Sequence, residues 1–254
     1  MQSNEYQPMF DQEDAHWWFV GKRHFAQSLL SRIDLGKKTK ILDLGCGTGG
    51  MTKFLEKFGQ VTGVEKNRHA VRLCKKRGLK VIEGSANKVP IRSGKRKDHL
   101  FDLITIFDVL YHRQVDEDAV LSEANRLLKT KGYLLVTDCA LPFFWSVHDE
   151  NMMAKKRFRK SELEQLLIKH GFTPIKSSYI YFFTFPLFAF QRLYLKIFQP
   201  KQVATVGQVN WFVNQFLKYL LEFESLVLRW IPSYPVGSSI IILAQKGQPH
   251  VASG

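Results

Sequence analysis

The segment ILDLGCGTGGMTKFLEKFGQVTGVE, residues 41–65, holds a complete supersecondary unit. Ile41-Leu42-Asp43-Leu44 has the apolar character of a buried parallel strand, and it breaks into Gly45-Cys46-Gly47-Thr48-Gly49-Gly50 before a helical pattern starts. Strand, glycine turn and helix open a nucleotide-binding βαβ unit. The glycines let the backbone turn tightly and approach a ligand, Thr48 is a helix cap by type, and the helix N-terminus is aimed into the site. A second strand, Val61-Thr62-Gly63-Val64, ends in Glu65, 20 residues past Gly45, where an acid binds ribose hydroxyls.

Two cofactors fit this much, because Gly45, Gly47 and Gly50 also satisfy the G-x-G-x-x-G pattern of NAD-dependent oxidoreductases. Asp43 stands two residues before the first glycine and gives D-x-G-x-G-x-G, which resembles the first motif of class I S-adenosylmethionine-dependent methyltransferases. The resemblance implies an α/β fold: a Rossmann-like, seven-stranded, mostly parallel sheet with helices on both faces. It implies S-adenosylmethionine as cofactor, with Asp43, Gly45, Cys46 and Gly47 around its amino-acid end and Glu65 on its ribose. After the third strand, Lys80 to Glu83, family members carry an acid that accepts from the adenine amino group. Ser85-Ala86 stands there in this chain, so the acceptor is an uncharged hydroxyl and the bond is weaker.

With 254 residues the chain suits one large α/β domain with additions. The reading divides it into an N-terminal flap and helix (1–36), a core (37–178), an apolar helical insertion (179–235), a last core strand (236–246) and a tail (247–254). Lys and Arg number 37 against 23 Asp and Glu, a formal charge of +14, which draws the protein to nucleic acid, anionic membrane or phosphorylated substrates. Cys46, Cys74 and Cys139 form no disulfide framework and no metal quartet, and they read as reduced thiols of a cytoplasmic protein. The longest near-continuous apolar run, Tyr179 to Phe190, is too short to span a bilayer.

His16-Trp17-Trp18-Phe19 precedes a helical pattern through Phe25, Leu29, Leu30 and Ile33. It is either a staple packing the helix onto the sheet or a flap over the cofactor. The tetrapeptide and its spacing to the glycine loop resemble a bacterial branch of the same family associated with surface-polysaccharide and other glycan pathways. The fourth strand, Phe101 to Phe107, runs out at Asp108-Val109-Leu110-Tyr111-His112, and ligands of open α/β sheets sit outside such carboxyl ends, so Phe107, Asp108 and His112 face cofactor or substrate. Thr130-Lys131-Gly132 reads as the turn into strand five, Arg92 to His99 as a basic surface loop, and Ser161 with Glu164 as a capping box.

Methyl transfer needs alignment and, for a hydroxyl acceptor, a base. His148 with Asp149 beside it, or His112, supplies one, while Trp145, Arg157 and Arg159 bind the acceptor, the arginines through a phosphate or carboxylate. The acceptor implied is a small molecule or a glycan- or lipid-linked compound, methylated on oxygen. A nucleic-acid methyltransferase is the rival suggested by charge, but strand four lacks the Asn/Asp-Pro-Pro-aromatic sequence of base-amine methylating enzymes. In Trp211 to Ile231 the polar residues Asn214, Lys218, Glu222, Ser225 and Arg229 mark one stripe of a long helix whose other faces are apolar. Three arrangements bury so much apolar surface: a cap over the active site, a homodimer interface, or peripheral contact with the inner membrane surface, with Arg192, Lys196 and Lys201 at anionic headgroups.

Overall fold

A computed structural model of the chain describes residues 5–36, 38–92, 100–198 and 209–247, so most of the basic loop and Lys201 lie outside the described residues. Seven strands, β1 (Lys40–Leu44), β2 (Gln60–Glu65), β3 (Val81–Glu83), β4 (Phe101–Phe107), β5 (Leu128–Cys139), β6 (Phe172–Ile180) and β7 (Ser239–Lys246), form one sheet in the order β3-β2-β1-β4-β5-β7-β6. Only β7 runs against its neighbours. The seven-stranded, mostly parallel sheet expected from the sequence is therefore present.

The two-residue period of the strands explains why both sheet faces are covered. Leu42, Leu44, Ile104, Ile106, Ile240 and Ile242 join one core cluster, and their alternates Ile41, Leu103, Ile241 and Leu243 join the other. The first cluster is closed by α5 (Glu117–Leu127) and α7 (Lys160–Lys169), the second by α2 (Trp17–Leu30) and α9 (Trp211–Val227). The remaining helices are α1 (Tyr6–Gln12), α3 (Gly50–Leu55), α4 (Arg68–Lys76), α6 (Val147–Asn151) and α8 (Phe185–Phe198). Strand order reverses between β1 and β4, which opens a crevice at their carboxyl ends.

Three local expectations are corrected. The capping box of α7 is Arg159 with Glu162, whose carboxylate accepts from the Arg159 N–H at 3.4 Å, so the helix starts one residue before Ser161. No separate turn precedes β5, which begins at Leu128 and absorbs the irregularity as a positive φ of 62° at Lys131. Thr48 does not cap α3; Gly49 holds that position at φ 90° without a side-chain bond.

Candidate active site

Above the carboxyl ends of β1, β2 and β4 lies a cavity of about 1070 Å³. That exceeds the ~300–1,000 Å³ of ordinary small-molecule sites and leaves room for a cofactor and a second substrate. Its floor is the glycine loop. Gly45 has φ +73°, and a Cβ there would stand 2.5 Å from Val109 Cγ2, so both conformation and space demand glycine. The Gly45 and Cys46 N–H groups donate to Val64 O at 2.8 and 3.1 Å, while the Gly47 N–H donates to Glu65 Oε2 at 3.0 Å. Glu65 Oε1 accepts from the Asn67 N–H at 2.8 Å, so this acid fixes the loop as well as facing the cavity. Burial raises its pKa and these backbone donors oppose the shift.

Asp43 is spent differently from the expectation. Its two carboxylate oxygens accept from Thr52 Oγ1 and Thr105 Oγ1, both at 2.7 Å, and it is 1% exposed. It braces β1 to α3 and β4, and contributes loop shape rather than a free acceptor. The α3 N-terminus, expected to aim at a ligand, is taken by Glu13: the Gly50 N–H donates to its Oε2 at 3.1 Å and Thr48 Oγ1 to its Oε1 at 2.7 Å. Arg77 Nη2 pairs with the same carboxylate at 2.8 Å. Glu13 was not singled out in the sequence, because an acid in a polar N-terminal stretch carries no local sign of such a contact. Its consequence is that the N-terminal segment lies across the loop, with Tyr6 and Met9 in the cavity wall.

His16-Trp17-Trp18-Phe19 packs as the staple considered for it and also forms part of the cavity wall. All four line the cavity, Trp18 stacks on Tyr181 with ring centroids 6.2 Å apart, and Tyr181 Oη donates to Trp18 O at 2.7 Å. The Trp17 N–H donates to Asn214 Oδ1 of α9 at 2.8 Å, which ties the segment to the insertion. One turn on, buried Lys22 sits 3.7 Å over the Trp18 ring and pairs with Asp108. Asp108 holds φ 55°, a strained value for a non-glycine residue, and also accepts from Thr137 Oγ1 at 3.1 Å. The four-residue spacing of Trp18 and Lys22 was the only sign of Lys22 in the sequence. Phe107, Asp108, Ser85 and Ala86 all line the cavity, and Ser85 Oγ accepts from the Asn87 N–H at 3.2 Å.

The residues proposed for catalysis and acceptor binding separate into two groups. His112, His148, Asp149 and Arg157 line the cavity, whereas Trp145 and Arg159 are not in its wall. Trp145 packs on the sheet core and Arg159 is an exposed residue at the start of α7. Asp149 does not serve His148. Its Oδ1 accepts from Arg157 Nε at 2.8 Å, and its Oδ2 from the Ser146 N–H at 3.0 Å and Arg192 Nη1 at 3.3 Å. Arg157 also donates to Ala140 O at 2.7 Å and is 3% exposed, a structural ion pair rather than an open anion clamp. Arg192, from α8, is corrected: expected among basic residues at anionic headgroups, it is buried and turned into this cluster. It spends only Nη1, on Ser146 Oγ at 2.7 Å and on Asp149, which leaves Nε and Nη2 without a partner among the described residues at the cavity wall.

The two histidines are both held neutral. Burial, and behind it the Arg192 guanidinium, push His148 down to about 3. Burial takes His112 to about 4, and its Nδ1 is buried with no hydrogen-bond partner among the described residues. Both imidazoles are unprotonated at neutral pH, but values this low make them weak bases until a bound acceptor raises them.

Comparison with known proteins agrees with this architecture. The family described as a methyltransferase domain matches residues 35–181. Over 123 residues the chain is 31% identical to the glycine/sarcosine/dimethylglycine N-methyltransferase of Actinopolyspora halophila, covering 44% of this chain and 20% of that protein. Over 115 residues it is 30% identical to phthiotriol/phenolphthiotriol dimycocerosates methyltransferase 1 of Mycobacterium ulcerans, covering 42% of this chain and 40% of that protein. The chain therefore spans well under two thirds of the length of both relatives. The fold is shared with a SAM-dependent methyltransferase of Thermotoga maritima at a TM-score of 0.56 and 21% identity, over 96% of this chain and 95% of that one. The oxidoreductase alternative falls away, and the chain, with its seven-stranded sheet and the crevice at the strand-order reversal, belongs to the methyltransferase domain family, the class I S-adenosylmethionine-dependent methyltransferases.

Proposed function

We propose that the enzyme methylates a hydroxyl of an amphiphilic acceptor, a small molecule or a glycan- or lipid-linked compound, whose anionic group lies against Arg192. The observation that carries this reading is a charge imbalance: the buried cluster at the cavity wall sets two guanidiniums, Arg157 and Arg192, against the single carboxylate of Asp149. A buried excess cation favours an anion that completes its pairing. The apolar part of the acceptor meets Leu187, Phe188 and Leu217 from the insertion. A relative named for phthiotriol dimycocerosates supports an apolar acceptor.

The cofactor fits the residues present: the positive φ values of Gly45 and Gly47 bring backbone to the cavity floor, and Glu65 closes behind it. When bound, S-adenosylmethionine supplies a methyl group on an already activated carbon. Gly45, Cys46 and Gly47 would hold its amino-acid end, Glu65 its ribose, Ser85 and Ala86 its adenine, with Phe107 and Asp108 as the wall between. Neutral His148 would accept the proton of the acceptor hydroxyl. Arg192 positions the acceptor, and Trp17, Trp18 and α8 exclude water.

Two measurements test this. Glu65→Ala removes the ribose acceptor and loosens the Gly47 N–H, so calorimetry should show S-adenosylmethionine binding weakened by about 1.5 to 3 kcal/mol; unchanged affinity overturns the cofactor placement. Arg192→Lys keeps the charge but loses the fork, and should raise the acceptor's KM roughly tenfold with cofactor affinity unchanged, when a labelled methyl donor is screened against anionic and neutral amphiphiles. Preference for neutral acceptors, or an unchanged KM, overturns the anion reading.

A further inference from the structure

The two helices inserted between β6 and β7 turn their most apolar faces outward. On α9, Phe212, Phe216, Tyr219, Phe223 and Leu226 recur at helical spacing and are all exposed, Phe212 by 75%, and Trp230 beyond the helix is 88% exposed. The buried face is the opposite one, Leu217, Leu221, Glu224 and Ser225, which packs on α2. On α8, Phe190, Tyr194, Ile197 and Phe198 are exposed in the same way, while Phe185 and Phe188 turn inward against Phe144. A surface helix ordinarily does the reverse and shows its polar stripe to solvent. An exposed apolar face of this extent is an interaction site.

Charge and continuity choose the occupant. A chain of +14 repels a second copy and is attracted to anionic surface. Residues 185–198 hold no acid; Arg192 is turned inward to the cluster with Asp149, but exposed Lys196 reaches over the exposed Phe143 ring at 4.7 Å, and exposed Arg229 adjoins Trp230. Aromatic residues mixed with basic ones are the composition that settles at a headgroup boundary. Leu187 of α8 and Val213 of α9 line the cavity and are themselves exposed, so the cavity opens on the apolar face.

We infer that the outer face of α8 and α9 docks on an anionic lipid bilayer, and that the acceptor passes from the bilayer into the cavity between them. The second clause rests on the cavity being the acceptor site; the docking does not. The test is flotation of the full chain with vesicles of phosphatidylcholine, with and without phosphatidylglycerol. The wild type should float with the phosphatidylglycerol vesicles. In Phe216→Glu/Tyr219→Glu/Phe223→Glu, whose three side chains are exposed and lie outside the cavity wall, the bound fraction should fall at least about tenfold. The thermal melt and S-adenosylmethionine affinity should be unchanged, and the single variant Phe212→Glu provides a milder copy if the triple variant folds poorly. Wild type remaining at the bottom of the gradient overturns the inference, whether light scattering then finds a dimer closed through this face or a monomer. Equal flotation of wild type and variants overturns it too. Docking without methylation of any lipid-borne acceptor removes the route and the proposed acceptor but leaves the docking, whereas methylation of soluble amphiphiles without flotation removes the docking alone.

Discussion

Asp149→Ala should destabilise the protein by about 3–5 kcal/mol, the cost of leaving buried cations without their counter-charge. The carboxylate is 2% exposed and receives Arg157 from the segment between α6 and α7 and Arg192 from α8, so its loss strands two guanidiniums at once. Burial already pulls Arg192 down to about 10, which is the physical sign of what its desolvation costs even with Asp149 in place. For a chain of this size that loss lowers Tm by roughly 10 °C, measurable by calorimetry. Asp149→Asn should fall between, because an amide oxygen still accepts but no longer balances charge. Asp118→Ala is the control: that aspartate also holds two bases, Lys169 and His170, but it lies at the surface in water, so its removal should leave the melt where it is. Equal melts for Asp149→Ala and the control would show that the cluster is not what holds α8 to the cavity wall.

What the sequence makes legible is what neighbours in the chain decide. The order of strand, glycine turn, helix and strand in residues 41–65 is legible because these elements are contiguous, and because alternation in Ile41 to Leu44 records the two faces of the sheet. The strand-four exit placed Phe107, Asp108 and His112 at the cavity for the same reason. Contiguity also misled. His148 and Asp149 are adjacent, yet Asp149 turns away to the arginines, and Ser161 with Glu164 imitates a cap that Arg159 and Glu162 make. The groups that were not legible are set by long-range contacts. Glu13 reaches a loop 37 residues away, Lys22 meets Asp108 across 86 positions, and Arg192 meets Asp149 across 43. The insertion shows the limit most plainly. Its polar stripe was readable, but which side faces solvent was not, because Glu224 is drawn inward to accept from the Phe182 and Phe183 N–H groups at 2.8 and 3.2 Å. Burial raises that acid to about 7.

His148→Ala should lower kcat by roughly 10² to 10⁴, the usual contribution of a positioned base, while S-adenosylmethionine affinity stays as it is. The pH dependence follows from the same cluster. An ordinary histidine loses its base form as pH falls through about 6.5. His148 is held down at about 3, so in the free enzyme its base form persists and kcat/KM should show no acid limb at 6.5 from this group. Stability carries the matching sign: the unfolded chain protonates the histidine and the folded chain does not, so this residue costs stability as pH falls from about 6.5 toward 3. An anionic acceptor seated against Arg192 cancels part of the positive potential that depresses His148, and so raises its pKa in the complex. The acid limb of kcat, which reports the complex, should therefore lie at higher pH than that of kcat/KM, and the gap should close in Arg192→Met, with both limbs absent in His148→Ala. Parallel pH profiles of wild type and the two variants decide this. A His148→Ala enzyme within twofold of wild type, or one that keeps the wild-type limb, would place the proton on another group, with His112, whose Nδ1 has no partner among the described residues, the next to be changed.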